Sequence, residues 1–234
     1  MGILEIIALC GALQAPLDIV HTNGKSVTKK QCQEAHSEYK EKLTGLDISI
    51  DDRDALARII EAEASNQGDI GQAYVLFVIL NRTIHEDFAN QIQKVINKKN
   101  QFEPATTAKG WRNLPAVSGE KNAKIQTMIN LARSGTMPDP TGGALYFQNV
   151  KTVSKREKRG SVSKGLTGFN GSIPKETIKD HTFYTSINTS KGKAVKKPEP
   201  PNKWDVFNPT EVGKSEGSSW DVFREDDKKP WDAF

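Results

Sequence analysis

The run Ala73-Tyr74-Val75-Leu76-Phe77-Val78-Ile79-Leu80 constrains this chain more than any other feature. Together with Gln72 before it and Arg82 after it, and opened by Asp69-Ile70-Gly71, it reads as a helix that is apolar on every side. Such a helix has no face to offer water and must run through the middle of a core. A strand is the rival reading, but the run is long for one.

Amphipathic stripes surround it. Ser49 to Asp52 supply capping side chains, and Leu56, Ile59, Ile60 and Glu63 then fall at i, i+3, i+4 and i+7 of a first helix. Phe88, Ile92, Val95 and Ile96 form a third helical stripe. Ile125, Met128, Ile129 and Ala132 form a fourth, ended by Gly135. Two aromatic-rich extended segments follow, Ala144-Leu145-Tyr146-Phe147 and Thr182-Phe183-Tyr184. The expected fold is mainly α with a small β element, an α+β domain.

The 234 residues leave room for one core plus extensions. Composition divides them into an N-terminal extension over 1–45, a folded domain over 46–188 and a flexible tail over 189–234. In the tail Lys, Pro, Ser, Gly, Asp and Glu dominate. A net charge of +4 suits anionic partners in general and falls well short of a dedicated nucleic-acid binder, so none is expected. The four histidines are scattered and show no metal-ligand spacing. Cys10 and Cys32 can pair if the protein is exported, but two cysteines make no framework, and an unpaired or unimportant role is the preferred reading.

Ile3, Leu4, Ile6, Ile7, Leu9 and Leu13 form an apolar run far below the ~20 residues of a membrane span. No Lys or Arg precedes it and Glu5 interrupts it, so a weak export signal is the lesser reading. A short amphipathic helix packed on something is the greater.

Glu63 occupies a position where the stripe calls for Leu or Ile. A carboxyl group there is partly desolvated, which disfavours its charged form and raises its pKa. A general acid working near neutral pH needs that property. The plainer alternative is a helix-end glutamate that faces solvent or pairs with Arg58 or Arg82. No second carboxylate is placed comparably: Asp69 reads as a helix cap and Asp139 as a turn residue before Pro140. Carboxylate-pair hydrolysis wants both partners, so the sequence leans toward a reaction in which the substrate supplies its own nucleophile.

Leu56-Ala57-Arg58-Ile59-Ile60-Glu61-Ala62-Glu63-Ala64, Gly71-Gln72-Ala73 and Val78-Ile79-Leu80-Asn81-Arg82 resemble the SleB-type cell-wall hydrolases, the spore-cortex-lytic enzymes. Val95-Ile96, Gln101-Phe102-Glu103-Pro104, Asp139 through Phe147 and His181-Thr182-Phe183-Tyr184 agree in order, so the resemblance spans roughly 52–188. It implies a lysozyme-like fold of the goose-type lysozyme and transglycosylase kind, and cleavage between N-acetylmuramic acid and N-acetylglucosamine. Glu63 matches the family's catalytic acid. It would protonate the glycosidic oxygen while the muramic acid's own C6 hydroxyl attacks, leaving a 1,6-anhydro end, with no metal or cofactor. Substrate-lining candidates from the matching blocks are Asn81, Gln101, Phe102, Thr141, Gly142, Gly143 and Tyr146, the glycines permitting close backbone approach. Tyr146, Phe183 and Tyr184 read equally as core or as site, and His181 as structural.

Two departures stand out. Where the family carries Arg-Gly-Glu-Pro after its Glu-Ala pair, this chain has Ser65-Asn66-Gln67-Gly68, so Gln67 replaces a second glutamate. The basic stretch Lys151 to Lys164 reads as an inserted or enlarged loop, either a solvated face or a steering surface toward an anionic wall.

The tail holds Trp204-Asp205-Val206-Phe207, Trp220-Asp221-Val222-Phe223 and Trp231-Asp232-Ala233-Phe234. Trp204, Phe207, Trp220, Phe223, Trp231 and Phe234 read as anchors of three docking motifs for a multimeric protein partner, with avidity from repetition; a tail folded back on the domain is the alternative. The combined expectation is a peptidoglycan-degrading enzyme carried to the periplasm or wall by a bacteriophage virion or lysis apparatus, a bacterial periplasmic enzyme being the competitor. The alternative function is a non-catalytic peptidoglycan-binding or virion assembly protein.

Overall fold

The computed structural model describes residues 2–10, 19–22 and 25–187; the tail motifs lie outside them. The chain runs through α1 (Ile3–Cys10), the hairpin strands β1 (Ile19–Thr22) and β2 (Lys25–Thr28), α2 (Lys29–Thr44), α3 (Ile50–Ala64) and α4 (Gly68–Ile84). Then come α5 (Ile92–Asn97), α6 (Glu103–Thr107), a 3-10 turn at Trp111–Asn113, α7 (Gly119–Arg133), β3 (Tyr146–Gln148) and α8 (Val150–Lys158). A single turn, α9 (Gly168–Gly171), precedes β4 (Glu176–Ile178) and β5 (His181–Tyr184). The domain is mainly α with a small antiparallel element, as the periodicity predicts. No helix among the described residues is long and apolar enough to cross a membrane.

The apolar run becomes the interior of α4, where Val75 through Leu80 have no solvent exposure. Helix α3 starts on a capping box, with Ser49 Oγ accepting from the Asp52 N–H and the Asp52 side chain accepting from the Ser49 N–H. It then buries Leu56, Ile59 and Ile60 against α4. Each such side chain contributes roughly 1.5–3 kcal/mol of transfer free energy. Helix α7 adds Ile125, Met128 and Ile129 and stops at Gly135, which takes the left-handed conformation that glycine tolerates.

The segment expected as an extension takes part in this core. Leu4 and Ile7 of α1 and Ala35, Tyr39 and Leu43 of α2 are buried in the same apolar cluster as α3 and α4. The two cysteines correct the sequence reading: Cys10 and Cys32 form a disulfide, with a Cα separation of 5.7 Å that falls in the usual range, and both are buried beside Val27. It fastens α1 to α2.

The two expected strands pair with each other, Tyr146 opposite Tyr184 and Phe147 opposite Phe183, and β4 joins the far edge of β5. The basic stretch is also corrected. Lys151 to Lys158 lie on a helix, α8, capped by the Asn149 side chain accepting from the Thr152 N–H at 2.9 Å. Only the residues after it form a loop, which Glu157 organises by accepting from the N–H groups of Gly165 and Thr167.

Candidate active site

Glu63 lies near the C-terminal end of α3, half-buried, close to the start of α6 and to Arg82 in the last turn of α4. The backbone N–H of Glu103 donates to its carboxylate. Burial and the negative charge of Glu103 push the Glu63 carboxyl up to about 7, against the opposing effects of that N–H and of Arg82. A group with that value is protonated in an appreciable fraction near neutral pH and returns to the same state after giving up its proton. That is the equipment of a general acid.

Arg82 is the partner that sequence reading left aside as a site residue. It is 3% exposed, its Nε donates to the Leu145 carbonyl at 2.7 Å, and its guanidinium lies 5.0–5.7 Å from the rings of Phe102, Phe88 and Tyr146. Nη1 is buried and has no hydrogen-bond partner among the described residues. Desolvation brings Arg82 down to about 10, with Tyr146 and Glu63 opposing the shift, so it remains a cation at neutral pH. A buried arginine inside an otherwise apolar helix was the signal that could have found it.

The structure brings some of the expected lining residues to this place. Phe102 is fully buried and forms a wall of the aromatic cage around Arg82. Tyr146 is half-buried, touches Phe88 and Phe169 as well as Arg82, and has its hydroxyl pushed to higher pKa mainly by burial. Gln101 is half-buried two residues before Glu103. The aromatics Phe183 and Tyr184 are buried on the central strand.

Other candidates are placed elsewhere. Asn81 has no solvent exposure: its Oδ1 accepts from the Tyr39 hydroxyl at 2.8 Å, and its Nδ2 donates to Asp139, Thr141 and the Ala144 carbonyl. Nothing of its amide remains for a sugar. Thr141 is 1% exposed and shares this network, donating to Asp139 at 2.7 Å and accepting from the Ala144 N–H. Gly142 and Gly143 adopt φ of 58° and 82° to close the same turn, the Gly143 N–H reaching Asp139. All four belong to a largely buried turn that anchors the strand entering β3.

Gln67, at the family's second-glutamate position, is 3% exposed. Its Oε1 accepts from the Asp180 N–H at 3.1 Å, tying the start of α4 to the β4–β5 turn. It shapes the turn.

A second carboxylate does stand near Glu63, contrary to expectation. Glu103 is exposed, and both its oxygens accept from the Arg156 guanidinium, at 2.7 and 2.9 Å. An open groove of about 880 Å³ lies elsewhere, between α1, α2 and the end of α4, and includes neither Glu63 nor Arg82. Chemistry rather than concavity singles out Glu63. Among the described residues no cluster of three or more His, Cys, Asp or Glu is arranged to hold a metal ion.

A half-buried carboxyl with a raised pKa thus lies beside a caged cation on a mainly helical domain. The chain belongs to the cell wall hydrolase family, whose model matches residues 66–184, half of its length. This is the family that the ordered blocks resemble, and the match begins three residues after Glu63. Among solved structures the chain is similar to the catalytic domain of the germination-specific lytic transglycosylase SleB from Bacillus anthracis. Identity is 24% and the TM-score 0.44, over 58% of this chain and 95% of that one. It is also similar to the catalytic domain of the Bacillus cereus SleB protein, at 24% identity and a TM-score of 0.45, over 59% of this chain and 92% of that one. No curated protein sequence matches significantly.

Proposed function

We propose that this chain cleaves the glycan strand of peptidoglycan as a lytic transglycosylase, with Glu63 as its acid. The observation that carries the reading is the half-buried Glu63 carboxyl, raised to about 7 and held by the Glu103 N–H. Membership of the cell wall hydrolase family supplies the substrate class.

In this reading Glu63 gives its proton to the oxygen linking N-acetylmuramic acid to N-acetylglucosamine, and the C1–O bond breaks. The muramic acid C6 hydroxyl forms the new bond to C1 and releases its proton to the Glu63 carboxylate. The acid is regenerated, no water is consumed, and the product ends in a 1,6-anhydro ring. Arg82 stabilises the carboxylate between the two proton transfers. Glu103 is a poor candidate for activating water, because both its oxygens are engaged by Arg156.

Digestion of purified peptidoglycan by wild type and Glu63→Gln, with products resolved by mass spectrometry, tests this. Anhydro-muropeptides from wild type alone are expected. Reducing muropeptides would make the enzyme a hydrolase, and equal activity of both proteins would remove Glu63 from the chemistry.

The place of action proposed is the extracytoplasmic wall, reached from a phage virion or in the periplasm. The Cys10–Cys32 disulfide supports it, because disulfides persist in oxidising compartments. The tail's three Trp-Asp-(Val/Ala)-Phe motifs are proposed to dock a multimeric carrier. Truncation before Trp204 is expected to leave digestion of purified wall intact while abolishing recruitment; loss of digestion would overturn the docking reading.

A further inference from the structure

Glu103 meets Glu63 twice. Its backbone N–H donates to the acid's carboxylate, and its own carboxylate is the negative charge that acts on that acid. The side chain is held from outside the site. Arg156 of α8 grips both oxygens in a bidentate pair that joins helices 53 residues apart in sequence. A fork of two parallel N–H to oxygen bonds fixes orientation as well as charge. On α8, Lys151, Lys155 and Lys158 fall within about 60° of one another and Arg156 projects from a different side, while the helix's one acid, Glu157, is turned to the loop N–H groups of Gly165 and Thr167.

The other charges packed around α3 are paired elsewhere or face solvent. Glu61 pairs with Lys121 of α7, Asp51 with Arg112 of the 3-10 turn, and Lys94 of α5 is exposed. Arg82 of α4, backed by Tyr146 of β3, is the cation that acts on Glu63. Burial acts most strongly on the acid, and two opposing charges act beside it, one internal and fixed, the other superficial and gripped by Arg156.

We propose that Glu103 and Arg156 form a positioning couple for Glu63, in which Glu103 brings a second negative charge to the edge of the acid and Arg156 sets how much of that charge the acid meets. The inference rests on the reading of Glu63 as the acid. Its physical basis is that a neighbouring like charge disfavours ionisation, while a cation bound to that neighbour screens it. Both side chains are largely exposed, so their pairing adds little to fold stability, and substitution isolates the electrostatic effect.

The test is a pair of single variants read by the basic limb of the pH–rate profile on purified peptidoglycan. In parallel, a carbon-13 titration of the glutamate carboxyls follows the substrate-free protein, with the Glu63 signal assigned by its loss in Glu63→Gln. Glu103→Gln is expected to move the Glu63 titration and the basic limb to lower pH, by on the order of half a unit. Arg156→Gln is expected to move both to higher pH by a similar amount, and the double variant to follow Glu103→Gln. Unchanged or same-direction shifts in the two single variants would overturn the couple. Should wild type release no muropeptides, the functional reading fails, while the carbon-13 titration still decides the couple.

Discussion

Asn81 and Arg82 are consecutive on α4 and serve different ends of the molecule. The Asn81 amide is enclosed by Tyr39, Asp139, Thr141 and Ala144, while the Arg82 guanidinium stands in a cage of Phe88, Phe102 and Tyr146 on the side of Glu63. Successive helical side chains project about 100° apart, so a motif that ends in Asn-Arg delivers one residue to a structural turn and the next to the acid. Family resemblance marks both; only geometry separates their roles.

Asn81→Ala is therefore expected to cost stability and spare chemistry. It removes hydrogen bonds from the buried Tyr39 hydroxyl and from the half-buried Asp139, members of a shared network, so a loss of about 2–3 kcal/mol is expected from urea unfolding. KM per folded molecule should stay at the wild-type value. A raised KM with unchanged stability would return Asn81 to the sugar groove.

Arg82→Gln is expected to do both. The lost bond to the Leu145 carbonyl and the emptied aromatic cage should lower stability by roughly 2 kcal/mol. Arg82 lowers the Glu63 value, so its removal should move the basic limb of the pH–rate profile to higher pH while the maximal rate falls. A limb that stays in place would show that Arg82 is a packing residue only.

Much of this was legible in the sequence where side-chain pattern and solvent alone decide the outcome. The Ser49–Asp52 cap, the stripe of α3 and the all-apolar α4 needed nothing beyond local rules, and the aromatic segments paired as strands with each other. Strand β4 was not legible, because Glu176-Thr177-Ile178 offers one apolar residue and exists by pairing with β5. Helix α8 reads as a loop in the sequence because its stripe is made of charges. Glu63 announced itself as a carboxylate on an apolar stripe. Arg82 is legible only as one of two possible partners, with Arg58, and Glu103 not at all as a neighbour, since they arrive from α4 and α6 and only tertiary packing sets them beside it. The disulfide is not legible for the same reason: the approach of α1 to α2 is a tertiary event.

That disulfide makes a redox prediction. Cys10 and Cys32 are separated by 22 positions, and closing a loop of that length restricts the unfolded chain by about 3 kcal/mol. Cys10→Ser with Cys32→Ser, or reduction with dithiothreitol, should lower the urea midpoint accordingly. Catalysis by the fraction still folded should persist, since the bond lies at the α1–α2 contact and Glu63 on α3. Equal midpoints before and after reduction would mean that the bond does not form in solution.

The strongest link between site and stability is Glu63 itself. Its carboxyl, ordinarily near 4.5, sits at about 7 in the folded protein. The folded state therefore holds this proton through a range in which the unfolded chain has released it. The associated stability is fully present below about pH 4.5 and is lost progressively as pH rises to about 7. At 1.36 kcal/mol per unit the full loss is roughly 3 kcal/mol, taken as an upper figure for a group with some solvent access. Glu63→Gln has no proton to lose. Its stability relative to wild type should climb across that window and level off above pH 7, even as turnover drops by about two to four orders of magnitude. Subtracting the two urea-derived stability curves cancels the other titrating groups, His181 among them. A difference that is flat from pH 4 to 8 would mean that Glu63 ionises as freely in the folded protein as in water, and the case for it as the acid would fall with it.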